Sequence, residues 1–165
     1  MIERLLEAGV RAPAHHLTQP WRFIVLAGDA LSALGDAWAE AVVRSGKDPE
    51  SVRSKPLRAP VIIAVVCRPK VHLPKVVEVE EHYATGAAMQ NILLAAHDAG
   101  LAAMIRTGPA ATLPEVLGYL GLERGESVAG FIYVGYPNED HRQGVSRRIP
   151  AAEVTEWRGW SDDAG

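Results

Sequence analysis

The chain has a single cysteine, Cys67, among 165 residues. One thiol makes neither an internal disulfide nor a four-thiolate zinc site, and such sparse use fits a reducing compartment. A basic surplus is also missing. The 17 Lys and Arg are outnumbered by 20 Asp and Glu, for a net charge of −3. Nucleic acid is therefore not expected as a partner, because nothing in the overall balance neutralises a run of phosphates. The longest strongly apolar run, Ala59 to Cys67, falls far short of the ~20 residues that cross a bilayer. The opening Met1-Ile2-Glu3-Arg4-Leu5-Leu6-Glu7 has acids where a secretory signal needs an apolar core. These absences lead to the expectation of a cytoplasmic protein without membrane association. No phosphate-cradling P-loop, G-x-G-x-x-G fingerprint or G-x-S-x-G elbow occurs. The histidines at 15, 16, 72, 82, 97 and 141 contain no pair at zinc-protease spacing, and no metal site is expected.

What remains is ordinary globular usage, 48% hydrophobic and 22% charged. The length suits one domain, assigned here to residues 1–160, with a polar tail at 161–165. Ile2, Leu5, Leu6, Gly9 and Val10 recur at helical spacing from the first residue. An element that starts at residue 1 leads to the expectation that something upstream is missing or was dispensed with, and Pro13 ends it. Trp21 to Leu26 reads as a strand. Asp29 is placed as the cap of a helix with Leu31, Leu34, Trp38, Ala41 and Val42 on one stripe. Residues 44–56 read as a loop or a helix end with a loop.

Val61 to Cys67 is continuous, β-branched and apolar, as expected of a strand buried on both faces. Glu78 to Ala99 reads as an Ala-rich helix, apolar on most sides, and so buried centrally or in a subunit interface. Gly100 closes it. A strand at Ala102 to Thr107 follows, then a short helix capped by Thr112, and a strand at Ala129 to Gly135. Helices and strands alternate, which predicts one layered domain of both.

The stretch Arg11-Ala12-Pro13-Ala14-His15-His16-Leu17-Thr18-Gln19-Pro20-Trp21-Arg22-Phe23 concentrates functional groups in a proline-bounded loop between a helix and a strand. Arg11 offers a planar donor fork suited to phosphate or a polar ring edge. Read alone, Arg11 equally suits capping of helix carbonyls, and the histidines equally suit solvation. A metal-assisted hydrolase using His15 and His16 is a weaker alternative.

This stretch resembles the FMN-dependent nitroreductase family, in its small single-domain branch. The resemblance continues through Ala59-Pro60-Val61-Ile62-Ile63, then Gly86 to Ala96, Gly100-Leu101, Arg106-Thr107-Gly108, Gly130 to Pro137, Arg147-Arg148-Ile149-Pro150 and the segment Glu153 to Trp157. It covers nearly the whole chain in order. It implies an α+β fold in layers, with a central, mainly antiparallel sheet flanked by helices. It also implies a homodimer with FMN at the interface. Hydride would pass from NAD(P)H through the flavin to a nitroaromatic or quinone-like acceptor in ping-pong fashion, with no catalytic side chain.

By the same resemblance, the FMN-binding residues are Arg11 and His15, reaching a partner's flavin, together with Ile105, Arg106 and Thr107 at a strand end and Arg148 in the late basic turn. Read on their own, Ile105 and Thr107 equally suit ordinary strand positions, and Arg148 a solvated surface arginine. Gly86 and the alanines after it are expected in close helix packing. Two departures stand out. Leu17 occupies a position where many members carry Asn. The chain begins after the family's Arg-Arg-Ser phosphate-holding segment, so a second expectation is a weakly flavin-binding or non-catalytic relic of the same fold.

Overall fold

The computed structural model describes residues 1–138 and 147–159. His141, Trp160 and the expected tail at 161–165 lie outside the described residues. In chain order the elements are α1 (Ile2–Gly9), β1 (Trp21–Ala27), α2 (Asp29–Val43), α3 (Glu50–Arg53), β2 (Val61–Cys67), α4 (Glu78–Asp98), β3 (Ala102–Arg106), α5 (Pro114–Tyr119) and β4 (Ser127–Gly135). Short 3-10 turns lie at His15–Leu17, Lys55–Arg58, Pro109–Ala111 and Ala151–Val154.

The strands form one antiparallel sheet in the order β1-β2-β4-β3. β2 is central, and Ile62 to Cys67 are fully buried. Its alternate side chains enter two different cores, as a strand's twofold period requires. Ile62 and Ala64 join Leu26 and Phe131 against Leu31 and Leu34 of α2 and Val116 of α5. Ile63 and Val65 join Ile132 and Val134 against Leu5 of α1 and Met89, Ile92 and Ala96 of α4. The result is three layers, with α2 and α5 on one face of the sheet and α1 and α4 on the other. Each fully buried Ile or Val contributes about 1.5–3 kcal/mol relative to exposure.

α1 lies close against α4 because Gly9 has no side chain. A Cβ there would sit 3.0 Å from Ile92 and 3.2 Å from Phe23. Asn91 Nδ2 donates to the Ala8 carbonyl at 3.1 Å and fixes the crossing. α4 ends in a Schellman closure. Gly100, at φ +72°, donates to the His97 carbonyl at 3.0 Å, and Leu101 donates to that of Ala96 at 2.8 Å.

Three local expectations need correction. Gly28, at φ +55°, occupies the cap position of α2, and Asp29 is its first residue. Thr112 does not cap α5. Its hydroxyl donates back to the Pro109 carbonyl at 3.1 Å, Leu113 holds the cap position, and Glu115 pairs with Arg44 at 2.9 Å. Gly86 meets nothing within 4 Å of its would-be Cβ, so it takes no part in close packing within the chain. Its side of α4 faces outward.

A buried carboxylate ties β1 to the turn before β4. Glu126 accepts from Arg22 Nε at 3.0 Å and from the Glu123 backbone N–H at 3.0 Å, and Arg68 Nε lies 3.3 Å away. Burial pushes the Glu126 carboxyl up, but the Arg22 hydrogen bond, the Glu123 N–H and the charges of Arg22 and Arg68 outweigh it and hold the carboxyl below its ordinary range. A carboxyl depressed by folding stabilises the fold above its unfolded value, about 4.3. That stability is lost as pH falls through the folded value. Glu126→Gln should therefore cost about 1–3 kcal/mol at pH 7, and less near pH 3. Urea unfolding at both pH values checks this; an equal cost at both would refute the electrostatic origin.

Candidate functional site: an open face of the long helix and the end of the edge strand

After α1, Arg11 and Ala12 close a turn by donating to the Ala8 and Gly9 carbonyls at 3.2 and 3.1 Å. The loop then carries His16, Leu17 and Gln19 at φ +51°, +53° and +49°. Non-glycine residues rarely adopt this region, and each costs of order 1–3 kcal/mol unless its surroundings over-determine it. Here they do. Thr18 is 3% exposed, and its hydroxyl donates to Glu81 Oε1 at 2.6 Å. The other oxygen, Oε2, accepts from the Lys70 N–H at 3.0 Å. Glu81 itself is 0% exposed, near the start of α4. One carboxylate thus joins the histidine loop, the loop after β2 and the long helix. The Arg68 N–H adds a bond to the Pro20 carbonyl at 2.6 Å.

The clamp sets His15 on the rim of a groove of about 540 Å³, lined by Pro13, Ala14, Glu80, Tyr83, Ala84 and Ala87. His15 Nε2 lies 4.0 Å from Glu80 Oε2. That oxygen is shielded from solvent and accepts no hydrogen bond among the described residues. The His15 and His16 rings meet edge-on at 4.1 Å. Arg11 lines a neighbouring concavity of about 450 Å³ with Ala8, Asn91, Leu94, Ala95 and Asp98.

Positions 80, 84, 87, 91, 95 and 98 follow one another at helical spacing, so the two concavities lie along one stripe of α4. Tyr83 and Leu94 on this side are 70% and 58% exposed. α4 is therefore buried through Glu81, Ala84, Thr85, Ala88, Met89, Ile92 and Ala96, half-buried at Glu80, Ala87, Asn91 and Ala95, and exposed at Tyr83 and Leu94. Among the described residues no helix is long and apolar enough to cross a membrane.

The other expected residues lie elsewhere. Ile105 packs with Ile132 in the core beneath α4. Arg106, the next residue of β3, points to the opposite face, with its guanidinium carbon 5.8 Å from the Tyr133 ring centre. Thr107 follows the strand, and with Arg106 it lines a cavity that contains neither Arg11 nor His15. Arg148 is exposed, and its Nη1 donates to the Arg147 carbonyl at 3.2 Å. Within one chain, Arg11 and His15 line neighbouring concavities along α4, while Ile105 to Thr107 sit at the edge of the sheet.

Glu80, Glu81 and Thr18 escape a reading by composition, because acids in a first helical turn are usually solvated. The available signal was position. Residue 81 continues the buried series 85, 88, 92 and 96, and an acid on that stripe must find donors.

The nitroreductase family model matches residues 1–136. YdjA of Escherichia coli K12, named as a candidate NAD(P)H nitroreductase, is 30% identical over 157 residues, covering 93% of this chain and 85% of the relative. A crystal structure of a nitroreductase-like family protein from Bacillus cereus shares 27% identity, covers 96% of this chain and 83% of its own, and superposes with a TM-score of 0.80. A candidate nitroreductase from Desulfovibrio desulfuricans, solved in complex with FMN, shares 30% identity, covers 97% and 84%, and gives a TM-score of 0.70.

Removing the Glu81 carboxylate should release the histidine loop. Glu81→Ala leaves the Thr18 hydroxyl and the Lys70 N–H without their acceptor, at a cost of about 2–6 kcal/mol for two donors left unsatisfied. Hydrogen exchange of residues 15–20 should accelerate well beyond that of β2. Uniform acceleration across the sheet would show that Glu81 is not a local clamp.

Proposed function

Because the chain belongs to the nitroreductase family, we propose that it is an FMN-dependent oxidoreductase that uses NAD(P)H to reduce a nitroaromatic or quinone-like acceptor. The observation that carries this reading is the α4 stripe, where flat apolar walls lie beside a buried acceptor oxygen and an unpaired guanidinium. Ala84, Ala87, Pro13 and Ala14 offer a surface for a planar ring. Glu80 Oε2, without a hydrogen-bond partner among the described residues, fits a ring N–H donor. Arg11 has neither an ion pair nor a hydrogen bond from its guanidinium among the described residues, and this leaves its donors for a phosphate or a ring carbonyl. The donor set therefore fits FMN.

FMN, when bound, supplies hydride transfer in two alternating halves, from NAD(P)H and then to the acceptor. The chain's residues supply binding, orientation and charge. His15, held by the clamped loop, borders the groove. Arg11 and Arg106 bring positive charge that favours an electron-rich ring, and Arg148 adds a further guanidinium for phosphate. Ile105 and Thr107 present the strand end to the ring.

A second copy joins the two halves of the site in this reading. The outward side of α4 around Gly86 and Leu94 packs on its counterpart, Gly86 permits close approach of the helices, and the groove beside Ala84 and Ala87 is left for the ring. Arg11 and His15 of one protomer then complete the strand-end site of the other. A homodimer also removes apolar surface that a monomer would leave in water.

The purified protein should be yellow, or should take up added FMN, and should oxidise NADPH when a nitroaromatic is present. A colourless dimer that neither binds FMN nor oxidises NADPH or NADH would overturn the reading. Arg11→Ala should raise the FMN dissociation constant about 10- to 100-fold, the loss of one charge-assisted hydrogen bond. The dimer should persist in gel filtration. An unaltered constant would remove Arg11 from the site.

A further inference from the structure

A quinone and a nitro group each need a proton as well as electrons to be reduced. A hydride gives a quinone two electrons and one hydrogen and leaves its second oxygen anionic, and a proton on that oxygen completes the hydroquinone. A nitro group takes a hydride and a proton and becomes a nitroso group and water. NAD(P)H supplies the hydride by way of FMN, and the proton has a separate source. Histidine is the side chain that holds and releases a proton near neutral pH, and His15 stands on the rim of the groove along α4.

The described residues contain two His–Glu pairs at ion-pair distance, and the pairs differ. His82 Nε2 lies 3.9 Å from Glu78 Oε1, one turn away on the outside of α4, and the Glu78 side chain is 69% exposed. His15 Nε2 lies 4.0 Å from Glu80 Oε2, an oxygen shielded from solvent and without a hydrogen-bond partner among the described residues. Both His15 and Glu80 line the groove, and Tyr83 is the other titratable group there. The His15 side chain is half-exposed, so water reaches the ring. The His16 ring closes on it edge-on at 4.1 Å and limits its rotation. A carboxylate has lone pairs for several donors, so Glu80 takes the His15 N–H beside a ring N–H of the cofactor.

The backbone is strained for the sake of this arrangement. His16 and Leu17 follow His15 at φ +51° and +53°, and the bond from Thr18 to Glu81 holds them there. A solvated histidine needs no such support. Strain of this kind collects where a side chain has to be held in one place.

We propose that His15 is the proton donor of the acceptor-reducing half-reaction, positioned by Glu80 and His16. The inference rests on the oxidoreductase reading. Both ring nitrogens of an imidazolium carry a proton. Nε2 faces Glu80, which leaves the Nδ1 proton for the acceptor. As the hydride reaches a quinone, the Nδ1–H bond breaks and an O–H bond forms on the anionic oxygen. The quinone gains two electrons and two hydrogens, NAD(P)H is oxidised, and the neutral imidazole regains its proton from water.

Two acceptors separate proton delivery from electron delivery: benzoquinone needs the proton, and ferricyanide takes electrons alone. In the FMN-loaded protein, His15→Gln should lower kcat/KM for benzoquinone about 100-fold, within the range of general acid catalysis, and for ferricyanide by no more than about tenfold. Added imidazole should restore part of the benzoquinone rate in His15→Gly and none of the ferricyanide rate. In the flavin-free protein, Glu80→Gln should shift the ring nitrogen resonances of His15 and leave those of His82 in place.

An equal fall with both acceptors would make His15 a flavin-binding group alone and overturn the proton transfer, with the oxidoreductase reading intact. Benzoquinone reduction unaltered in His15→Gln would do the same. Unmoved His15 resonances in Glu80→Gln would overturn the positioning by Glu80. A native chain that binds no FMN and reduces neither acceptor would overturn the oxidoreductase reading itself, and the proposal with it.

Discussion

A strand that is apolar on both faces has to be covered on both faces, and β2 places this demand on the whole molecule. Ile62 to Cys67 are withdrawn from water completely, and their alternate side chains serve two cores. Neither core can form without its own helices. α2 and α5 are recruited to one face, α1 and α4 to the other. β1 and β4 flank β2 because a buried central strand must pair its N–H and C=O groups on both sides.

The long helix translates that packing constraint into a site. α4 has 21 residues, and one stripe of it is consumed by the core beneath. Its first turn projects Glu81 into the junction of two loops, where the buried side chain is tolerated because donors reach both oxygens. The same turn delivers Glu80 to the neighbouring groove. The left-handed residues His16, Leu17 and Gln19 persist because Thr18, between them, is anchored to Glu81. The positions of the histidines therefore rest on a buried acid more than sixty residues away in sequence. Opposite, the alternation of β3 sends Ile105 into the core under α4 and Arg106 to the other face. A single strand end thus contributes to two chemically different surfaces.

Some of this was legible from local pattern. Proline-bounded loops between a helix and a strand expose the groups they carry, and Arg11 and His15 follow that rule. The Schellman closure at Gly100 was readable because only a residue tolerant of positive φ stops a helix in that way. Caps were less readable. Asp29 and Thr112 are the residue types that cap helices, but a left-handed Gly28 and a competing bond from Thr112 to Pro109 decided those ends. Gly86 suggested close packing, and the structure turns it outward, because periodicity reports that a helix has a small-residue face without reporting what meets it.

The sequence by itself determined the doubly buried strand, the amphipathic cover on either side and the order of the motifs. These follow from hydrophobic period and local backbone chemistry, which act over a few residues. Only the tertiary structure decided that Glu81 is a buried clamp and not a solvated acid. It alone brought Glu80 to His15 from a distant part of the chain, and kept Arg11 and His15 apart from Ile105 to Thr107. Such juxtapositions depend on strand register and helix crossing, which are set by packing the whole core at once. No local window of sequence carries that information.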